Sequence, residues 1–228
     1  MISAPLSNYG SIIAPHACFV NPFCDFFIFC GFPTTTRLKS GAEYGRIAYE
    51  IKPKQELPVN RTLTPDFMFA RAADITPEFL HKNRIRALLC DIDNTLSPYE
   101  DAVPNEEIRA WVQSLREAGI AVALISNNTP ARVETYNAPL GLVAYADAKK
   151  PSTARYLDAL RALGAEKNAC AVLGDQLLTD CWSARRLGVP CIIVPPIRDK
   201  KTLFFRCKRA LEKPFLAAYR RAHKGENQ

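Results

Sequence analysis

From about residue 63 to residue 197 the chain alternates short unbroken apolar runs with longer stretches in which apolar positions recur every three or four residues. The first pattern fits strands buried on both faces, and the second fits helices that lay one side on a core. The apolar runs predict strands over 87–91, 120–125, 142–144, 170–173 and 191–194. Ile108, Trp111, Val112 and Leu115 predict a helix over 106–118, with Gly119 as its stop. Further helices are predicted over 129–136, from Pro151 to about 163, and over 180–187 ahead of Gly188. Thr76-Pro77 reads as the cap and first position of a short helix upstream. Strands that alternate with helices predict the α/β class with a doubly wound parallel sheet.

The flanks differ from this core. Residues 1–60 contain no Lys or Arg before Arg37, so no secretory leader with a positive start is expected. The apolar stretch from Cys18 to Phe32 is broken by Asn21, Pro22 and Asp25 and is too short to span a membrane. These 60 residues read as a poorly ordered extension, or as sequence ahead of the true start of translation. The domain reading is therefore an N-terminal extension over 1–60, an α/β domain over 61–197 and a basic tail over 198–228.

Charge sharpens that last boundary. The 228-residue chain carries a formal net charge of +7. Between Arg198 and Lys224 ten basic residues face two acidic ones, a local +8, so the remainder is close to neutral. Leu203, Cys207, Leu211, Phe215 and Tyr219 recur every four residues and predict an apolar helical stripe flanked by Arg206, Lys208, Arg209 and Lys213. Pro214 is expected to kink or divide this helix, freeing its end to lie on lipid. The eight cysteines include no CxxC pair. Cys90, Cys170 and Cys191 fall in apolar runs, which suits reduced thiols acting as small core residues.

The chemistry is concentrated where predicted strands end. Asp91-x-Asp93, Ser126-Asn127-Asn128 and Gly174-Asp175 followed by Asp180 stand at three such ends, and Lys149-Lys150-Pro151 opens a predicted helix. A parallel sheet delivers its strand ends to one rim, where ligands bind in open α/β folds. An Asp can attack phosphorus, and a second carboxyl two residues on can protonate the leaving oxygen and then activate water. Charge in such a transfer spreads over the phosphoryl oxygens, so cations and positioning carry the catalysis. Asp91 and Asp175 are natural oxygen ligands for Mg²⁺, with Asp180 nearby, and Ser126 and Lys150 suit the phosphate oxygens. His16, His81 and His223 lie away from every cluster.

Asp91-Ile92-Asp93-Asn94-Thr95-Leu96, Ile125-Ser126-Asn127-Asn128, Lys150-Pro151 and Gly174-Asp175-Gln176-Leu177-Leu178-Thr179-Asp180 resemble the four motifs of the haloacid dehalogenase (HAD) superfamily of phosphatases. The resemblance implies a HAD-like Rossmannoid fold, Asp91 as nucleophile and Asp93 as acid/base whose main-chain carbonyl also binds Mg²⁺. It further implies Ser126, Asn127 and Lys150 on the phosphate, Asp91, Asp93 and Asp175 at the metal, and Thr95 and Asp180 in support. Together with Leu63-Thr64-Pro65-Asp66, Asp74-Ile75-Thr76-Pro77 and the basic tail, these motifs are similar to the YqeG-type subgroup, HAD class IIIA. Mitochondrial relatives of that subgroup convert phosphatidylglycerophosphate to phosphatidylglycerol, which is the reaction the resemblance implies.

Only 35 positions separate Asp91 from Ser126 (126 − 91), and 24 separate Ser126 from Lys150 (150 − 126). Strand, turn and helix fill both intervals, so no large cap domain is expected and the site should stand open. An open site suits a phosphate that projects from something large, such as a lipid headgroup. A basic amphipathic helix suits an anionic membrane surface. The expected location is cytoplasmic and peripheral, on the inner face of a membrane. Two alternatives remain at this point: a phosphatase of small soluble esters, and an RNA-binding protein that uses the tail on phosphates. The second is disfavoured by the few aromatic residues interleaved with the basic ones.

Overall fold

The computed structural model describes residues 62–198 and 203–224. The readings made for residues 1–60 fall outside the described residues. Leu88 and Cys90 join one apolar cluster while their neighbours Ala87 and Leu89 join another, so the strand they form is buried on both faces. That strand is β2 (Ala87–Cys90), flanked by β5 (Cys170–Gly174) and β3 (Ala121–Ile125), both parallel to it. With β1 (Phe67–Met68), β4 (Val143–Tyr145) and β6 (Cys191–Ile193) they make a six-stranded sheet in the order β1-β6-β5-β2-β3-β4. Every recorded pairing is parallel. Cys90, Cys170 and Cys191 are fully buried and carry no disulfide, as expected of thiols used as core residues.

Helices cover both faces. α1 (Pro77–Lys82), α2 (Glu106–Glu117) and α3 (Pro130–Asn137) lie on one side, where Ile108, Trp111, Leu115, Val133 and Tyr136 pack on Leu88, Cys90, Val122 and Leu124. α4 (Ala154–Leu163) and α5 (Trp182–Leu187) lie on the other, with Tyr156, Leu160, Ala184 and Leu187 against Leu89, Ala123 and Val172. Local chemistry sets the ends. Thr76 Oγ1 accepts the Phe79 amide at 3.2 Å, Asn105 Oδ1 accepts that of Ile108 at 2.9 Å, and Gly119 leaves α2 at φ 73°. The doubly wound α/β fold expected of the pattern is therefore present, and no large cap domain interrupts it among the described residues.

Four expectations are corrected. The helix after Pro151 starts at Ala154, because Lys150 and Pro151 belong to a turn closed by the Ser152 amide on Lys149 O at 2.9 Å. The predicted helix over 180–187 splits into a wide π-helical turn over Leu177–Cys181 followed by α5. Pro214 does not divide the last helix, α6 (Leu203–Ala222). Nor does the expected stripe face inward throughout: Leu211 is 63% exposed, while Glu212 is 1% exposed. Phe215 and Leu216 pack on the α4–α5 side of the core, and Tyr219 Oη accepts the Met68 amide at 3.2 Å. The residues of α6 turned to the domain are thus Lys208, Arg209, Glu212, Phe215, Leu216 and Tyr219. Three of these are charged, which a purely apolar pattern cannot register. The side chains of Leu203 and Cys207 fall outside the described residues.

Leu89 is fully buried in the central strand. Leu89→Ala should lower the unfolding free energy by about 2–5 kcal/mol, the usual range for a core Leu deletion. Urea unfolding measures this, and a loss below about 1 kcal/mol would contradict a β2 buried on both faces.

Candidate active site

The sheet order reverses direction between β2 and β5: from β2 the chain steps outward through β3 to β4, then returns beside β2. Such a switch point leaves a crevice beyond the strand ends, because the two connecting chains depart to opposite sides. The register places Cys90 against Leu173, and the Asp91 amide still bonds Leu173 O at 2.8 Å. Asp91 and Asp175 are therefore set at adjacent strand ends on the two sides of that crevice.

Beyond Asp91 the chain turns back on itself. The Leu96 amide donates to Ile92 O at 2.9 Å and the Asn94 amide to Ser97 O at 2.8 Å. Asn94 has φ 67°, a left-handed conformation that Asn adopts more readily than most residues. This turn brings Thr95 Oγ1 to Asp91 Oδ2 at 2.8 Å. At the end of β3, Ser126 is 2% exposed and its Oγ accepts the Asn128 amide at 3.0 Å. Asn127 Oδ1 accepts the Lys150 amide at 2.7 Å, which ties the turn that carries Lys150 to the β3 end. Of the two adjacent lysines, Lys149 is exposed, while the Lys150 side chain is 2% exposed.

Lys150 Nζ donates to Asp91 Oδ1 at 2.6 Å and to Asp180 Oδ1 at 2.8 Å. Removing one member of a buried ion pair costs about 3–5 kcal/mol, so this ammonium fixes both carboxylates. Asp180 Oδ2 also accepts the Gln176 amide at 3.2 Å, which closes the turn on itself. Gly174 makes the close approach possible, since a Cβ there would overlap Asp180 Cβ and Cγ. Asp93 sits apart from this knot, its Oδ1 on Arg132 Nη2 at 3.1 Å and its Oδ2 on Asn128 Nδ2 at 3.2 Å.

Asp175 has a different partner. Its Oδ2 lies 2.5 Å from Arg209 Nη2, on α6. Arg209 Nη1 also donates to Asp175 O at 2.7 Å and to Glu212 Oε2 at 2.9 Å. Glu212 Oε1 accepts the amides of Leu177 at 2.8 Å and Leu178 at 3.3 Å. Lys208 Nζ donates to Gln176 Oε1 at 3.2 Å.

Every residue expected in the site is thus brought to one rim, and Asp91, Asp93, Ser126, Asn127, Lys150 and Asp180 line a common pocket of about 260 Å³. Reading the sequence did not find Arg132, Arg209, Glu212 or Lys208 as site neighbours. Arg132 had a usable signal, since it lies in the first turn of a helix that starts at the same rim. Arg209 and Glu212 had none, because charged residues on a basic helix read as solvated.

Carboxyl oxygens of Asp91, Asp175 and Asp180 all lie within 4.8 Å of one another. The Asp93 carboxylate is outside this trio; its expected contribution was through the main-chain carbonyl. Four carboxylates, Asp91, Asp175, Asp180 and Glu212, share two cations, Lys150 and Arg209. One divalent cation would balance the remaining two negative charges. An all-oxygen donor set suits a hard ion of the Mg²⁺ kind. Electrostatics agree with that fit. Burial, opposed by Lys150 and reinforced by Asp180, pushes Asp91 up to about 6. Burial, with Asp91 and Asp180 adding to it against Arg209, pushes Asp175 up to about 7. Burial pulls the Lys150 ammonium down, but Asp180 and Asp91 outweigh it and hold it well above its ordinary value.

The chain is similar to known proteins. The sequence profile of the haloacid dehalogenase-like hydrolases matches residues 78–188. The chain is 32% identical over 157 residues to "Probable phosphatase YqeG" of Bacillus subtilis (strain 168), covering 69% of this chain and 91% of that protein. Among solved structures it is similar to the cobalt-bound deoxy-D-mannose-octulosonate 8-phosphate phosphatase of Haemophilus influenzae, at 16% identity over 60% of this chain and 90% of that one, with a TM-score of 0.39. It is also similar to CbbY of Rhodobacter sphaeroides in complex with phosphate, at 19% identity over 53% and 90% of the two chains, with a TM-score of 0.40.

The carboxyl shifts have a thermodynamic consequence. In the folded, metal-free protein Asp91 keeps its proton to about pH 6, whereas the unfolded chain releases it near pH 4. Folding stability is therefore lost as pH rises through that window, since the folded state binds the extra proton. In EDTA, Asp91→Asn should gain stability relative to wild type as pH rises from 4 to 8, whatever fixed cost the lost Lys150 contact adds at every pH. Scanning calorimetry against pH tests this, and a wild type that gains stability over Asp91→Asn on going from pH 4 to 8 would contradict it.

Proposed function

Because this chain belongs to the haloacid dehalogenase-like hydrolase family, we propose that it hydrolyses a phosphate monoester through a phosphoryl group held on Asp91, with phosphatidylglycerophosphate at a membrane surface as the substrate. The observation that carries the reading is the pairing of two carboxylates two residues apart with different surroundings. Asp91 is tied to Lys150 and Thr95 beside the acidic trio, and Asp93 is held separately by Arg132 and Asn128.

In the proposed reaction an Asp91 carboxylate oxygen attacks phosphorus and the bond to the ester oxygen breaks. Asp93 gives its proton to that oxygen, so the alcohol leaves neutral. Water then attacks the phosphorus of the acyl phosphate and passes its proton to Asp93. Inorganic phosphate departs, and Asp91 returns as a carboxylate. Arg132 and Asn128 hold the Asp93 carboxyl in place for both transfers. Thr95 orients Asp91, while Lys150 and Ser126 offer donors to the phosphoryl oxygens. Asp91, Asp175 and Asp180 would hold Mg²⁺, together with the Asp93 main-chain carbonyl. When bound, the ion neutralises charge on the phosphoryl group during transfer.

The substrate reading rests on size and surface. A pocket of about 260 Å³ lies below the roughly 300–1,000 Å³ of sites that enclose a whole small ligand. It suits a phosphoryl group whose alcohol stays outside. Around the opening, Tyr99 lines the pocket at 43% exposed. Lys208 of α6 lines the same pocket, and an exposed aromatic ring beside an ammonium suits an amphiphile with an anionic headgroup. Among the described residues no helix is long and apolar enough to cross a membrane, so this reading requires contact with the surface only.

The test is phosphate release from a panel of phosphatidylglycerophosphate in vesicles, other phospholipid monoesters and soluble phosphate esters, with Mg²⁺. Wild type should prefer phosphatidylglycerophosphate, and Asp91→Asn should lose at least about 10³-fold on every substrate it turns over. Efficient turnover of soluble esters with none of the lipid would replace the lipid substrate by a small soluble one. Full activity in Asp91→Asn would reject the mechanism itself.

A further inference from the structure

We propose that α6 is part of the cation site, and that Arg209 is the positioning residue that sets Asp175 for the ion. The inference rests on the reading that Asp91, Asp175 and Asp180 hold a divalent cation, and it assigns a task to a helix outside the strand-end cluster.

Arg209 grips Asp175 at two points, with Nη2 on side-chain Oδ2 at 2.5 Å and Nη1 on the same residue's carbonyl at 2.7 Å. A planar guanidinium that bonds a side chain and its own main chain together leaves that side chain one orientation. Oδ2 is thereby taken, and Oδ1 keeps only a long contact to Gln176 Nε2 at 3.4 Å, which makes it the oxygen available to an ion. The Asp175 side chain is fully buried, so an ionised form without a fixed countercharge would be costly.

The grip extends to the other side of the trio. Glu212, one helical turn beyond Arg209, pairs with it at 2.9 Å and accepts the Leu177 and Leu178 amides. Those amides begin the turn that carries Asp180. One face of α6 therefore holds the loop at both of its acidic residues, with Asp175 through Arg209 and the start of the Asp180 turn through Glu212. Farther along the same face Phe215, Leu216 and Tyr219 anchor the helix to the domain. The helix reads as a clamp whose charged end meets the loop and whose apolar end supplies the docking energy.

Ligand-orienting partners of this kind typically contribute 10–100-fold to metal affinity. The test titrates metal-free full-length protein with MgCl₂ and MnCl₂ by calorimetry, without substrate, beside phosphate release measured against Mg²⁺ concentration. Arg209→Ala should weaken cation binding, and raise the half-saturating Mg²⁺, by about 10–100-fold, with kcat at saturating Mg²⁺ reduced far less. Arg209→Lys, which keeps the charge but not the fork, should recover part of the loss. A purely structural role would lower the amount of active protein without moving half-saturation. Melting in EDTA reports which variants fold. If Arg209→Ala does not, Arg209→Lys and Glu212→Gln carry the test, each with an expected several-fold loss of affinity. Cation binding as tight as wild type in every folded variant overturns the proposal. Failure of wild type to bind either cation overturns the underlying metal reading instead, so the two failures are distinct.

Discussion

A single buried ammonium sets the terms for everything around it. Lys150 Nζ stands between Asp91 and Asp180, at 2.6 and 2.8 Å, in a crevice where three carboxylates converge. Like charges in a poorly hydrated space repel strongly, and neither carboxylate would remain ionised there alone. The fold meets this constraint with main-chain geometry: a strand order that reverses beside β2, a glycine that lets Asp180 lean over β5, and a turn that threads Lys150 beneath Asn127. Arg209 closes the arrangement from the far side. Even so the cluster retains more negative than positive charge, which is the condition a divalent cation and a phosphoryl group would meet together.

Much of this was legible in the sequence, for identifiable reasons. β2, β3, β5 and β6 are short apolar runs buried on both faces, so continuity of hydrophobicity was a sufficient signal. Asp91, Asp93, Ser126 and Asp175 follow directly on strand ends, and a parallel sheet gathers strand ends by construction. The two-residue strand β1 was missed although Phe67-Met68-Phe69-Ala70 is apolar, because it is a half-buried edge strand that rests on its pairing with β6. The start of α4 was misplaced because Pro151 fits the first position of a helix as well as it fits a turn.

The charged residues of α6 were illegible for a deeper reason. A periodicity argument takes apolar positions as the inner face, and so selects Leu211 over Glu212. The structure does the opposite, exposing Leu211 and burying Glu212 against the Leu177 and Leu178 amides. Buried charge becomes tolerable only when its partners are in place, and those partners lie more than 30 positions away. No local pattern could carry that information. The consequence for function is direct: a helix that reads as a free basic tail is fastened to the catalytic loop, and its Lys208 lines the pocket.

The central claim is that Asp91 carries the phosphoryl group. The most direct measurement is rapid quenching of the enzyme during turnover, borohydride reduction of any acyl phosphate, and mass spectrometry of the peptides spanning residues 87–109 and 168–185. The account predicts reduction at Asp91 and nowhere else, and none in enzyme quenched without substrate. Reduction at Asp93 or Asp175, or turnover with no trapped carboxyl at all, would contradict it.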